Sequence, residues 1–287
     1  MSALAEIREA EEMGIPAVWL HSGSGGGDAL TLLAAAAIQT ERILLGTSIV
    51  RSWSRHPVTM AEQAQVIGVL APGRFRLGVG PSHKESIERT FGVDFHAPLG
   101  HLKEYLRIVK GLNQKGTVDF DGQYYAAHRT ISSPIDVPVM ASALRPGAFE
   151  MCGSEADGAI SWVCPHAYLR SVALPALRRG AEKVGRPPPP LIVHAPVCVD
   201  ENVDAVHEVV RESLGYFPSS TFYAKMFATA GSPVSADGGW TNEMMDSVVI
   251  AGDELAVTAR LEALFGWGAS EIVATIVTVG DAPDESR

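Results

Sequence analysis

The runs AVWL (Ala17–Leu20), ILLGTSIV (residues 43–50) and RFRLGVG (residues 74–80) decide the fold, because one helical stretch separates each from the next. Short runs this rich in apolar residues suit strands buried on both faces. Strands that alternate with helices pair in parallel, since each helix carries the chain back across the sheet before the next strand begins. Functional groups in such folds gather at the C-terminal ends of the strands. The tails of these three runs are therefore where a site is expected.

The remaining chain continues the rhythm. VPVMASAL (residues 137–144), GAISWV (residues 158–163), LIVHAPVCV (Leu191–Val199) and EIVATIVTV (residues 271–279) read as four further strands. Asp28 is an N-cap for a helix reaching Ile38, and Pro57 opens another that ends at the Pro72-Gly73 turn. Helices are also expected over residues 101–112, 146–153, 166–184, 203–216 and 254–265, which gives seven strands and eight helices with a helix first. A closed parallel barrel needs eight strand–helix units, yet residues 4–13 form an amphipathic helix closed by Gly14 with no strand ahead of it. The expected fold is thus an α/β barrel of the (β/α)8 kind lacking its first strand, as a single domain over residues 1–287. The sheet edge beside Ala17 then needs cover from a partner chain or the first helix.

Two segments depart from the repeat and are expected as insertions. Residues 116–134 read as a hairpin in which Val118-Asp119-Phe120 and Gln123-Tyr124-Tyr125 flank a turn at Asp121-Gly122. Residues 218–247 carry Phe222, Tyr223, Met226, Trp240, Met244 and Met245 without clean periodicity, which fits a lid, a surface insertion or an oligomer contact.

A chain of 287 residues with 46% hydrophobic content can bury a full core. Its formal charge of −10 argues against nucleic acid or an anionic membrane surface as partner. No apolar run reaches the length of about 18 residues that a spanning helix needs, and the N-terminus lacks the plan of a signal peptide. Cys152, Cys164 and Cys198 have no metal-site spacing, so reduced, buried thiols in the cytoplasm are expected and no metal. A Walker loop, a His-Glu-x-x-His helix and a nucleophile elbow are all missing from the sequence, and Gly78-Val79-Gly80 lacks the third glycine of a dinucleotide fingerprint.

Small and polar residues at strand ends remain as candidates. The tail Gly46 through Thr47, Ser48, Ile49 and Val50 would let a flat ring approach the backbone. His21 and His56 are the imidazoles placed for proton transfer near neutral pH. Arg51, Arg55 and His56 lie within six positions, and Arg145 precedes a helix start at Pro146-Gly147. A helix start with exposed N–H groups beside an arginine suits an anion such as a phosphate.

At these residues the chain resembles the luciferase-like monooxygenase superfamily, in particular the deazaflavin-dependent branch similar to methylenetetrahydromethanopterin reductase. The resemblance covers nearly the whole chain. It rests on Ala10-Glu11-Glu12-Met13-Gly14-Ile15 before Val18-Trp19, on Thr40-Glu41-Arg42-Ile43-Leu44-Leu45-Gly46-Thr47, on Arg55-His56-Pro57 and on Pro72-Gly73-Arg74-Phe75. Ser82-His83, Phe91-Gly92, Phe120-Asp121-Gly122-Gln123-Tyr124-Tyr125, Ala156-Asp157-Gly158 and Gly252-Asp253-Glu254 follow in the family's order.

The resemblance implies a TIM-like barrel with an isoalloxazine-type ring in its mouth, over a non-proline cis bond that falls within Thr47 to Val50, at Ser48-Ile49. It implies that Ser142, Ala143, Leu144, Arg145, Pro146, Gly147 and Ala148 match the phosphate-tail region, that Trp162 also contributes to cofactor binding, and that His21 faces the ring. The implied activity is hydride transfer between coenzyme F420 and a small imine, enone or alcohol, with His21 or His56 managing the proton. FMN-dependent monooxygenation and a cofactor-free barrel acting as binding partner or non-redox catalyst are the alternatives. A homodimer is implied, since such barrels commonly pair through early helices.

Overall fold

A computed structural model describes residues 3–22 and 27–280. Most of the glycine-rich stretch after Ser22 lies outside the described residues. The chain forms two compact units, Met1–Ser142 with Glu155–Gly158, and Ala143–Ser154 with Ala159–Arg287.

In the first unit the strands are β1 (Ala17–Leu20), β2 (Leu44–Thr47), β3 (Val50–Arg51), β4 (Phe75–Gly80), β5 (Thr117–Asp121), β6 (Ala126–Thr130) and β7 (Val139–Ser142). The pairs β1–β2, β2–β4, β3–β4 and β4–β7 are all parallel. Leu45, Leu77, Val79, Val139 and Ala141 are fully buried between the sheet and its helices, against Met60, Ile67, Tyr105, Leu106 and Val109. These strands need both faces covered, which is why their sequences are apolar without alternation. The run at residues 43–50 is interrupted after Thr47 and resumes as β3, so one expected strand is two short ones. Helix Ala29–Ala37 starts at the Asp28 cap, and Pro57 is the first residue of helix Pro57–Leu70.

Arg74 closes helix Ala29–Ala37. Its guanidinium donates to the carbonyls of Ala37 and Thr40 (3.0 Å each), to the Ile43 carbonyl and to Thr40 Oγ1 (3.1 Å each). A cation here also meets the negative end of the helix dipole. At the other side of the same turn, the Glu11 carboxylate accepts the N–H groups of Glu41, Arg42 and Ile43 at 2.7–3.2 Å.

The second unit contains β8 (Gly158–Trp162) from Ala159 onward, β9 (Leu191–Val199), β10 (Ile250–Gly252) and β11 (Glu271–Ile276). β9 pairs in parallel with β8, β10 and β11. β8 stops at Trp162 because Val163 takes φ = 49°, a left-handed backbone that a β-branched residue rarely adopts. Burial pushes the thiols of Cys152 and Cys164 up to about 12, which keeps them protonated.

The structure differs from the expected elements in several places. The second hairpin strand is β6, and Gln123-Tyr124-Tyr125 belong to the turn, where the Glu104 carboxylate accepts all three of their N–H groups at 2.8–3.0 Å. Residues 218–247 are not aperiodic: helices Thr221–Thr229 and Asn242–Val248 bury Met226, Phe227, Met244 and Met245, and buried Trp240 donates to the Leu214 carbonyl at 2.9 Å. Strand β10 and helix Lys84–Phe91 were not expected at all; the first has only three residues, and the second buries only Ile87. The helix expected from residue 101 begins at Pro98, where proline suits the first turn.

Replacing Arg74 by Leu leaves several carbonyls without donors, so we expect a loss of about 2–3 kcal/mol of unfolding free energy in urea denaturation. Arg74→Lys should recover only part of it, since one ammonium cannot reach all four acceptors in the guanidinium's fork.

Candidate active site

The site begins where β2 ends. Thr47 is fully buried, and its Oγ1 both accepts the Gly78 N–H and donates to the Gly78 carbonyl at 2.8 Å. Its side chain is therefore spent inside the sheet, which leaves the backbone as its contribution to any ligand. The Ser48–Ile49 peptide is cis, at the position the family resemblance indicates. Ser48 N–H donates to the Leu20 carbonyl at 2.8 Å, and the Ile49 carbonyl accepts the Ser22 N–H at 3.1 Å. Val50 is buried in register with Val79.

Glycine at two strand positions serves packing. A Cβ on Gly46 would sit 2.4 Å from the Trp19 indole, so the flat ring that approaches Gly46 is the protein's own. A Cβ on Gly80 would sit 2.2 Å from Ser142 Oγ and 3.1 Å from Ile49 Cγ1. The ends of β4 and β7 and the cis segment thus meet in the first unit, with Ser48, Ile49 and Ser142 half-buried.

His21 is exposed at the end of β1, one residue before the Ser22 bond to Ile49. His56 is the N-cap of helix Pro57–Leu70. Its Nδ1 accepts the Val58 N–H at 3.3 Å, so the ring proton resides on Nε2. His56 lies edge-on to Tyr125, with ring centroids 5.6 Å apart.

Sequence reasoning did not assign the wall beside His56. His101 Nδ1 and the Tyr125 hydroxyl share a hydrogen bond of 3.0 Å, and the Trp53 indole stacks on His101 with centroids 3.8 Å apart. Phe95 adds a ring 5.1 Å from Trp53. Burial, helped by His96, lowers the His101 pKa to about 4, so the imidazole is neutral at pH 7. The signal was faint: His101 and Glu104 stand three apart on one helix, and Glu104 holds the turn that delivers Tyr125. Ser22 Oγ, Arg51 Nε, Ser52 Oγ, Trp53 Nε1 and one Arg55 terminal nitrogen are buried with no hydrogen-bond partner. Such groups cost stability until a ligand or water satisfies them.

In the second unit, Ala143 is buried and its N–H bonds to Ile160, while the Leu144 carbonyl accepts the Tyr168 hydroxyl at 3.0 Å. Arg145 immediately precedes helix Pro146–Glu155, and its carbonyl accepts the Ala148 and Phe149 N–H groups. Its side chain is exposed and has no ion pair among the described residues, while Gly147 is exposed and Pro146 and Ala148 are half-buried. An unpaired cation at a helix start suits an anion. Trp162, half-buried at the end of β8, packs 4.2 Å from His194 and 5.9 Å from Phe217.

Two cavities of about 350 and 340 Å³ lie elsewhere in the second unit, around Leu177, Pro189 and Gly268 and around His207, Asp246 and Arg260. Neither is lined by a residue expected to bind cofactor. Among the described residues, no helix is long and apolar enough to cross a membrane, and no group of three or more His, Cys, Asp or Glu could hold a metal ion.

Residues 2–271 match the family of luciferase-like monooxygenases. The chain belongs to that family. A 5,10-methylenetetrahydromethanopterin reductase of Methanolobus tindarius is 26% identical over 285 residues, covering 92% of this chain and 87% of the relative. An F420-dependent glucose-6-phosphate dehydrogenase of Beutenbergia cavernae is 36% identical over 179 residues, or 58% of this chain and 52% of that enzyme, so the match spans about half of the relative. Among solved structures, an F420-dependent secondary alcohol dehydrogenase in complex with an F420–acetone adduct superposes with a TM-score of 0.81 at 18% identity, covering 96% of this chain and 89% of that one. The luciferase-like α/β fold expected from the sequence is thus the fold observed. The unpaired Arg145 at a helix start fits an anionic group such as the deazaflavin of the F420-dependent relatives carries.

The depressed His101 pKa gives a signed prediction. Between about pH 6.5 and 4 the unfolded chain binds a proton at this residue that the folded chain excludes, so stability falls as pH drops through that window. His101→Phe removes this contribution. Its unfolding free energy, measured by denaturant titration from pH 7 to 4.5, should fall less steeply than that of the parent.

Proposed function

We propose that this chain is an F420-dependent oxidoreductase that moves a hydride between the deazaflavin and a small organic substrate of the imine, enone or alcohol class. The observation that carries the reading is the end of β2, where the cis Ser48–Ile49 segment packs with Gly80 and Ser142 in a chain whose relatives are F420-dependent enzymes. When bound, the deazaflavin supplies two-electron hydride chemistry at its C5 position.

The protein's own work is binding, orientation and proton handling. The backbone of Thr47, Ser48, Ile49 and Val50, with Ser142 beside it, is assigned to the ring. Ala143, Leu144, Arg145, Pro146, Gly147 and Ala148 are assigned to the anionic tail, and Trp162 to the cofactor as well. His21 is the proton-handling residue of first choice, because it is exposed at a strand end while its backbone neighbours are hydrogen-bonded to the cis segment. His56 can present only Nε2, since Nδ1 holds the helix cap. The buried, protonated thiols support a cytoplasmic setting.

A homodimer completes the reading. Ile38, Val66 and Val69 are 69%, 54% and 62% exposed on or beside two packed helices of the first unit, and apolar groups left in water at this density favour association. Val69→Glu should shift the protein to the monomer in sedimentation or light scattering.

Titration with F420 and with FMN, followed by fluorescence, tests the cofactor. F420 should bind and FMN should not; the reverse result assigns the monooxygenase chemistry instead. Arg145→Glu should weaken F420 binding by tenfold or more, roughly the 1.4 kcal/mol or more expected for reversing a charge at an anion site. His21→Ala should lower kcat with little change in F420 affinity. A kcat that survives in His21→Ala and collapses in His56→Ala would transfer the proton role to His56.

A further inference from the structure

We propose that the turn following β3 seats an anionic oxygen group of the substrate, a carboxylate or a phosphate ester, with Arg51 as its charged contact. The inference deepens the oxidoreductase reading of this site by naming the substrate's chemistry.

The first observation is a run of unmet donors. Arg51, Ser52, Trp53 and Arg55 each carry a buried side-chain nitrogen or oxygen with no hydrogen-bond partner, all within five consecutive residues. Ser52 is only 1% exposed. Arginine and indole nitrogens can only donate, and the serine hydroxyl can donate as well, so the missing partner is a group rich in acceptors. A ligand that was itself a donor would leave three of the four unsatisfied.

The second observation is charge. Arg55 is neutralised by its ion pair with Asp28. Arg51 has no carboxylate partner among the described residues. Its guanidinium lies 5.9 Å from the centre of the Phe91 ring, and its charge helps to lower the pKa of half-buried His83 nearby, an effect led by burial and opposed by Glu85. Beside an aromatic face and an imidazole, and with no ion pair among the described residues, this partly buried cation lacks a bound counter-charge in a chain whose net charge is −10.

The third observation is enclosure. Trp53 is packed against Phe95 and stacked on His101, and His101 is held by Tyr125, so these rings restrict water around the turn. A charge-assisted hydrogen bond gains strength where water is restricted. Arg51 directly follows Val50, so the anion would bind beside the strand end assigned to the ring.

The test uses the full chain and two probes, inorganic phosphate and acetate, titrated at constant ionic strength. The readout is the Trp53 indole N–H resonance, assigned with Trp53→Phe. A saturable shift is expected with at least one probe. Arg51→Met should raise the dissociation constant about ten- to a hundredfold, and Arg51→Lys should recover part of the loss. A response to phosphate alone identifies a phosphate ester as the substrate group; a response to acetate identifies a carboxylate. No shift with either probe, or an unchanged constant in Arg51→Met with a native circular dichroism spectrum, overturns the proposal.

A parallel F420 titration separates the two readings. Arg51→Met that keeps F420 affinity while losing the anion response supports the substrate site. Loss of F420 affinity in that variant assigns Arg51 to the cofactor and overturns the proposal. An intact anion response in a parent protein that does not bind F420 supports the anion site and rejects the proposed function.

Discussion

The first unit depends on one side chain replacing a backbone partner. β2 and β4 are in register at Gly46 and Arg76, and β3 and β4 are in register at Val50 and Val79. Four steps along one strand therefore face three along the other. The extra residue falls in the segment that holds the cis Ser48–Ile49 bond, as in a bulge. An interrupted ladder would leave Gly78 with unpaired groups in the core, yet Thr47 Oγ1 meets both of them at 2.8 Å. That substitution lets the strand change course without an unsatisfied polar group, so the irregular segment can sit at the strand end beside Gly80 and Ser142.

The acidic excess does structural work in the same unit. Glu11 accepts three N–H groups of the turn before β2, Glu104 accepts three from the hairpin turn, and Asp157 accepts the Val139 N–H at the start of β7 while bonded to Lys110. Asp28 caps a helix and pairs with Arg55. Carboxylates bonded to backbone donors in this way have lowered pKa values at Glu11, Asp28 and Glu104, so they remain charged. These carboxylates are committed to turns and caps, while Arg51 and Arg145 have no ion pair among the described residues.

Most of the strand framework was legible because parallel strands buried on both faces must be continuously apolar, as the runs around Leu45, Leu77 and Val193 are. Caps were legible for the same local reason, since Asp28 and Pro57 carry their signal within one turn. The misses share a non-local cause. Gln123 to Tyr125 read as a strand because the carboxylate that bends them into a turn lies about twenty positions earlier, at Glu104. Helix Lys84–Phe91 is polar with a single buried residue, so apolar spacing said little. In the site, the position of the cis bond followed from the resemblance. The different fates of Arg51 and Arg55 did not, because Asp28 decides them from 27 residues away. His101 gave only a faint local hint of its role, its spacing from Glu104, since Trp53 and Tyr125 reach it from separate elements.

His101, His56 and His21 differ by what their surroundings have already claimed. His101 is neutral at pH 7 because burial opposes its charge, and its Nδ1 is engaged by Tyr125, so it suits a fixed polar wall better than a shuttle. His56 would lose its cap with Val58 if Nδ1 took up a proton, which ties any relay through this ring to fraying of the helix start. At His21 the constraint falls on the backbone instead. The Leu20 carbonyl on one side and the Ser22 N–H on the other are both bonded to the Ser48–Ile49 segment. The backbone on both sides of His21 is therefore fixed to the cis segment while its exposed imidazole faces solvent, a division of fixed backbone and accessible side chain that neither His56 nor His101 has.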